Sequence, residues 1–227
     1  MQTRLEQNQK VKYNLGSYNR FNDKEQWIRI TEGCPHNCPF CYETQQIKIF
    51  DVPKIVRTNV KIMDMNLLCK KEALNIINSL PKAIGKYNNI VAYDLICGID
   101  YRFITQEIAY ALRKKGFKKI RIAWDWFMKD QYKIKDSINM LLKVGYQPNK
   151  IMIFMICNWK IPYEECCNKL DLCKVWNTQV ADCYYDDQTF PNVIPINWSD
   201  KENKDFRSKC RKHNQLVNFR IDPEIKQ

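Results

Sequence analysis

Thr31–Tyr42 reads TEGCPHNCPFCY and sets Cys34, Cys38 and Cys41 at CxxxCxxC spacing. Pro35 and Pro39 flank the middle cysteine, so the three sulfurs sit on a tight non-helical loop that can wrap one metal centre. Soft thiolates select zinc, copper(I) or iron–sulfur clusters. A closed structural site takes four protein ligands, and only three are local. His36 stands two residues from both Cys34 and Cys38 and would have to fold back on its neighbours to serve as the fourth. The expected site therefore has one open metal position, as when three thiolates hold a four-iron cluster and leave one iron free. The plainer alternatives are a structural zinc knuckle with a distant fourth ligand and a set of disulfide staples.

With the aromatic Phe40 before the last cysteine, the pattern resembles the CxxxCx(aromatic)C signature of the radical S-adenosylmethionine (radical SAM) superfamily. That resemblance implies a [4Fe–4S] cluster on Cys34, Cys38 and Cys41, with S-adenosylmethionine held on the free iron by its amino and carboxylate groups. It further implies reductive cleavage to a 5′-deoxyadenosyl radical that takes hydrogen from a substrate the motifs do not name. An electron donor such as flavodoxin or ferredoxin is implied as well. In such proteins the cofactor carries the radical chemistry, and the chain orients it and excludes side reactions.

The resemblance covers most of residues 27–185. Asp64-Met65-Asn66 resembles the DxN element of one branch, which implies that Asn66 helps bind the cofactor's amino group; its ordinary role is a turn residue or cap. Gly98-Ile99-Asp100-Tyr101-Arg102 resembles the GxDxR element of the same branch. Arg102 has the fork to hold the cofactor carboxylate in two bonds, and Asp100 would orient Arg102 or touch substrate. Against this stands a simple loop salt bridge. Asp125, after IRIAW, falls where the family places a polar contact to the ribose, or else is an N-cap. Phe154–Asn158 (FMICN) falls on the adenine-binding strand and makes Ile156 a contact candidate, with Asn158 in place of the usual glycine.

These residues need a scaffold that brings strand ends together. The 227 residues, 45% hydrophobic, are enough for one sizeable core. WIRIT (27–31) alternates and feeds the cysteine loop. Further strands are expected at Val60–Leu68, Ile90–Cys97, Lys119–Trp124, Ile151–Cys157 and Thr178–Tyr184. Helices are expected at Lys70–Leu80, Gln106–Lys115 behind a Thr105 cap and before Gly116, Lys133–Val144, and Pro162–Cys173. Such βα alternation predicts an α/β fold with parallel strands inside and helices outside, and six units suit a partial (βα)6 barrel of the radical SAM kind. The expected organisation is an N-terminal arm over 1–25, the core over 26–190 and a C-terminal extension over 191–227. That extension carries a short helix at Lys201–Gln215 and covers the barrel, with Trp198, Phe206, Leu216 and Phe219 as anchors.

Eleven cysteines, no apolar stretch in MQTRLEQNQKVKYN and no run able to span a bilayer predict reduced thiols and a cytoplasmic protein without membrane contact. Cys166, Cys167, Cys173 and Cys183 match no auxiliary-cluster spacing, and Cys166, Leu170 and Cys173 share one helix face as core residues do. The net charge of +12 predicts attraction to an anionic substrate or nucleic acid, although Arg113–Lys115 and Lys118–Lys119 also suit a solvated helix end. The reading from a different class is a non-catalytic iron–sulfur or zinc-binding nucleic-acid module.

Overall fold

The computed structural model describes residues 16–185 and 198–219. Strand β1 (Tyr18–Phe21) pairs antiparallel with β2 (Gln26–Arg29), which begins a series of parallel strands. Two short antiparallel pairs, Thr31–Glu32 with Lys48–Ile49 and Ala83–Ile84 with Asn89–Ile90, interrupt the series. The parallel strands after β2 are β3 (Asn59–Ile62), β4 (Ala92–Leu95), β5 (Ile99–Asp100), β6 (Ile120–Ala123), β7 (Ile151–Cys157) and β8 (Gln179–Tyr184). Hydrogen-bonded neighbours follow chain order, β1-β2-β3-β4 in one ladder and β5-β6-β7-β8 in the other. A parallel bridge from Tyr93 to Phe117 links the ladders, because β4 and β5 are two halves of one course interrupted at Ile96–Gly98. Helices α1 (Ala73–Ser79), α2 (Gln106–Lys115), α3 (Gln131–Lys143) and α4 (Tyr163–Trp176) connect successive parallel strands, and α5 (Asp200–Phe219) follows β8. Among these residues no helix is long and apolar enough to cross a membrane.

Alternation along the strands sorts the side chains. Ile28, Val60, Ile62, Tyr93, Ile120, Ile122, Ile151 and Ile153 are fully buried in the apolar core. The opposite face is more polar. There Asp94 takes Lys61 Nζ at 3.0 Å from its registered neighbour strand and also bonds the Arg121 guanidinium, so one carboxylate holds two cations within one layer. One step further along the strands the same face opens on a cavity at Ile96, Ala123, Phe154 and Cys183.

Several expected elements change length for local reasons. The strand expected over Val60–Leu68 stops at Ile62, because Asn66 adopts φ 52° and starts a short 3-10 turn at Leu67–Cys69. Ile90 belongs to a hairpin, Ala83–Ile84 with Asn89–Ile90, and is 60% exposed, so the third parallel strand begins only at Ala92. The α2 boundaries match their signals: Thr105 Oγ1 accepts the Ile108 N–H at 3.2 Å, and Gly116 closes the helix at φ 88°. The α4 helix runs on to Trp176, where Asn177 takes the left-handed cap. Part of the expected arm, Tyr18–Phe21, is a strand, and residues 1–15 lie outside the described residues.

The last helix is longer than expected, and it lies along β8, the outer strand of its ladder. Asn214 receives the Val180 N–H on Oδ1 at 2.8 Å and donates from Nδ2 to the Val180 carbonyl at 2.6 Å. One side-chain amide thus satisfies both backbone groups that an unpaired edge leaves open. Phe206 and Trp198 are buried behind it, whereas Phe219 is 74% exposed and anchors nothing.

Candidate functional site

Every parallel strand ends in a loop that reaches the same place. A cavity of about 520 Å³ is lined by residues from the loops after β2, β3 and β4 and from the C-terminal ends of β6, β7 and β8. Cys34, Cys38, Phe40 and Cys41 line it together with Asn66, Asp100, Arg102, Asp125 and Ile156, so all eight candidate site residues named from the sequence, and Asp100 with them, share one wall system.

The cysteine loop is held from several sides. Gly33 opens it at φ +90°, and its N–H donates to Glu43 Oε1 at 2.8 Å. The Cys34 N–H reaches the Thr44 carbonyl at 2.8 Å, which closes the loop's two ends on each other. Phe40 reaches the opposite wall, with its ring centroid 5.4 Å from Trp126 and 5.8 Å from Trp159, and Trp159 lies 4.8 Å from Tyr185. Through this one aromatic the loop after β2 is packed against the loops after β6, β7 and β8.

None of the three cysteines is in a disulfide. Cys34 is pushed down to about 5, first by a hydrogen bond from the Cys69 thiol and against burial, with the His36 backbone and the Asn66 amide helping. The Cys69 thiol is raised by that same contact and by burial. Asn66 Nδ2 lies 3.5 Å from Cys34 Sγ, and its Oδ1 accepts the Asp100 N–H at 3.2 Å. Among the described residues no three Cys, His, Asp or Glu side chains converge where a single metal ion could sit. Three separate thiolates facing one cavity suit a cluster, in which each takes its own iron.

Asp100 and Arg102 form a bidentate pair, Nε to Oδ1 at 2.8 Å and Nη2 to Oδ2 at 2.6 Å. The Arg102 N–H adds a third bond to Oδ1, at 2.9 Å. His36 does not turn toward the cysteines, since its Nε2 lies 2.7 Å from Asp100 Oδ2. Asp100 is thus buried against the Arg102 guanidinium and the His36 ring while the Arg102 side chain stays 46% exposed, which fixes the guanidinium at the cavity with one edge turned outward.

Asp125 is no N-cap: the next turn begins at Met128 behind Phe127. Its carboxyl is raised to about 6, chiefly by burial, with the Lys169 charge and the Ile156 backbone pulling it down. Lys169, fully buried, donates to the Trp124 carbonyl at 3.1 Å and to that of Trp126, bracing the turn that carries Asp125. Because the folded pKa lies above the ordinary value of 3.8, the folded state binds the extra proton, and stability falls as pH rises through roughly 4 to 6. Asp125→Asn is expected to raise the melting temperature at pH 7.5 and leave it unchanged near pH 3.5, read by scanning fluorimetry; equal shifts at both pH values contradict this.

Asn158 takes φ 57° and uses Oδ1 to accept the Trp198 N–H at 3.0 Å, so the residue standing in place of glycine ties the loop after β7 to the start of α5. Cys166 and Cys173 are buried on α4, whereas Cys183 faces the cavity from the other side of the sheet. Sequence reasoning missed Glu43, Lys70, Trp126 and Lys169. Glu43, two residues past Cys41, carried a faint signal as a carboxylate beside the loop.

Parallel strands in chain order, with a three-cysteine loop and a cavity at their C-terminal ends, define an α/β fold whose chemistry is collected at one end. No family model matches the chain, and no curated protein matches it. Among solved structures it is similar to coproporphyrinogen III oxidase (HemN) from Escherichia coli, described as a radical SAM enzyme, at TM-score 0.51 and 14% identity over 71% of this chain. It is also similar to the radical S-adenosylmethionine methyltransferase TsrM from Kitasatospora setae. The TsrM structure with cobalamin and a [4Fe–4S] cluster matches at TM-score 0.55 and 12% identity over 70% of this chain. The one with tryptophan and a SAM analogue matches at 0.54 and 12% over 69%. This chain spans 40%, 34% and 35% of those chains, respectively. The likeness establishes that the chain has the fold found in these radical SAM enzymes.

Proposed function

We propose that the chain is a radical SAM enzyme whose six parallel strands form a partial (βα)6 barrel, with Cys34, Cys38 and Cys41 holding a [4Fe–4S] cluster. The observation that carries this reading is the meeting of the CxxxCx(aromatic)C loop with Asn66, Arg102, Asp125 and Ile156 around one cavity in a radical SAM fold. When bound, the cluster supplies one electron that splits S-adenosylmethionine into methionine and a 5′-deoxyadenosyl radical able to take hydrogen from a substrate. The chain's own residues bind and orient. With S-adenosylmethionine bound, Asn66 beside Cys34 would take its amino group, the outward edge of Arg102 would take its carboxylate, Asp125 would serve the ribose hydroxyls, and the Ile156 backbone would serve the adenine. Phe40 and the Trp126–Trp159–Tyr185 wall exclude water from the reacting centre.

The experiment is anaerobic reconstitution and reduction, followed by measurement of S-adenosylmethionine affinity and cleavage. Loss of a charge-assisted bidentate contact costs about 1.5 to 3 kcal/mol, so Arg102→Ala is expected to weaken cofactor affinity roughly ten- to a hundredfold. Unchanged affinity moves Arg102 out of the cofactor site.

The electron donor in this reading is a small redox protein such as flavodoxin or ferredoxin. The positive charge suits an anionic substrate or nucleic acid docked beside the cavity. The Arg113–Lys119 cluster lies near the starts of the strands, away from the cavity, and Lys115 is spent on the Asn78 and Leu80 carbonyls. The exposed Lys201, Lys204, Arg211 and Lys212 of α5 are the better face. Affinity for a single-stranded oligonucleotide is expected to fall steeply with added salt; salt-independent binding, or none, removes this part.

A further inference from the structure

Where β2 and β3 end, their backbones diverge and leave polar groups that no strand partner satisfies. Two buried charges of opposite sign take them up. Asp64 accepts the N–H groups of Ile30 and Thr31 at 2.8 and 2.7 Å, on the segment that leads into the cysteine loop. Lys70, only 3% exposed, donates to the carbonyls of Gly33, Met65 and Asn66 at 2.5, 2.9 and 3.1 Å. An ammonium has three protons and no acceptor, and here three carbonyls use them all. One of these carbonyls immediately precedes Cys34, and the other two belong to the turn that ends in Asn66.

Asn66 is the residue this arrangement controls. It sits in the left-handed region at φ 52°, which asparagine tolerates better than most residues but which still needs outside support. In that conformation its amide spans from Cys34 Sγ to the Asp100 N–H, and Asp100 in turn holds Arg102. We infer that Lys70 is a positioning residue for cofactor binding: by pinning the carbonyls of Gly33 and Asn66 on one buried ammonium, it sets the Asn66 amide against Cys34 and Asp100. The inference rests on the functional reading above. A merely structural Lys70 lowers stability and leaves affinity alone, whereas a positioning Lys70 acts on affinity through Asn66.

A double-mutant cycle separates the two. Lys70→Met keeps the length and apolar stem of the side chain and removes the charge; Asn66→Ala removes the amide; the third variant carries both changes. Each is reconstituted anaerobically and assayed for iron and sulfide, for S-adenosylmethionine affinity by calorimetry, and for the change in the reduced cluster's EPR spectrum on cofactor addition. Losing a well-placed hydrogen bond to a charged group weakens binding roughly ten- to a hundredfold, so Lys70→Met is expected to load its cluster and bind the cofactor that much more weakly. In the Asn66→Ala background the same change should add little, because contacts made in series are not additive. If Lys70→Met does not load, Lys70→Arg, which retains donors, replaces it in the cycle. Additive losses, or affinity unchanged with lower stability, overturn the inference and leave the functional reading standing. A wild-type chain that loads a cluster but binds no S-adenosylmethionine overturns both.

Discussion

Alanine at Cys34, Cys38 or Cys41 is expected to leave a reconstituted chain without its brown cluster, with iron and sulfide falling from about four each to near zero. In the proposed reading each thiolate serves its own iron, and the loop offers no substitute: His36 is turned to Asp100, and Glu43 is engaged by the Gly33 N–H. The control is Cys69→Ala. It removes the hydrogen-bond partner of Cys34 without removing a ligand, so the cluster should remain. Full iron and sulfide in a triple cysteine variant place the metal elsewhere.

Gly33→Ala is expected to be nearly as damaging, although it touches no ligand. At φ +90° any side chain is strained, and an added Cβ overlaps the carbonyl oxygen of Gln46. That oxygen is backbone and cannot swing away, and Gly33 is also fixed by Glu43 on its N–H and Lys70 on its carbonyl. The loop must open to accept the methyl group, and Cys34 moves with it. Gly85→Ala is the matched comparison, since it also has positive φ but its Cβ would meet nothing nearer than 3.8 Å. It should cost about 1 to 2 kcal/mol of conformational strain and retain the cluster. Cluster loading by Gly33→Ala at the wild-type level contradicts the loop geometry.

The parts legible in the sequence are those fixed by short-range chemistry. Thr105 and Gly116 bound α2 because a hydroxyl cap and a left-handed glycine act within a few residues. Ile151–Cys157 reads as a strand because both its faces are covered. The cysteine spacing with Phe40 announces the site by itself. What sequence reasoning could not reach depends on partners distant along the chain. The run Val60–Leu68 is apolar enough for one strand, and only the turn stabilised by Lys70 and Asn66 breaks it. Ile90 reads as core by type, yet it lies on a hairpin facing solvent. Lys70 and Lys169 look like ordinary surface cations, because nothing local shows that the distant carbonyls of Gly33, for Lys70, and of Trp124 and Trp126, for Lys169, will enclose them. Phe40 was visible as a motif residue, but its packing on Trp126 and Trp159 required the loops after β6 and β7 to be in place.

The most direct test of the central claim is to incubate the reduced, reconstituted wild-type chain with S-adenosylmethionine under strict anaerobiosis and quantify 5′-deoxyadenosine and methionine by mass spectrometry. The predicted result is slow, equimolar formation of both products, absent in the Cys38→Ala chain. Bound zinc in place of iron and sulfide, or a fully loaded and reduced cluster that leaves S-adenosylmethionine intact, contradicts the assignment.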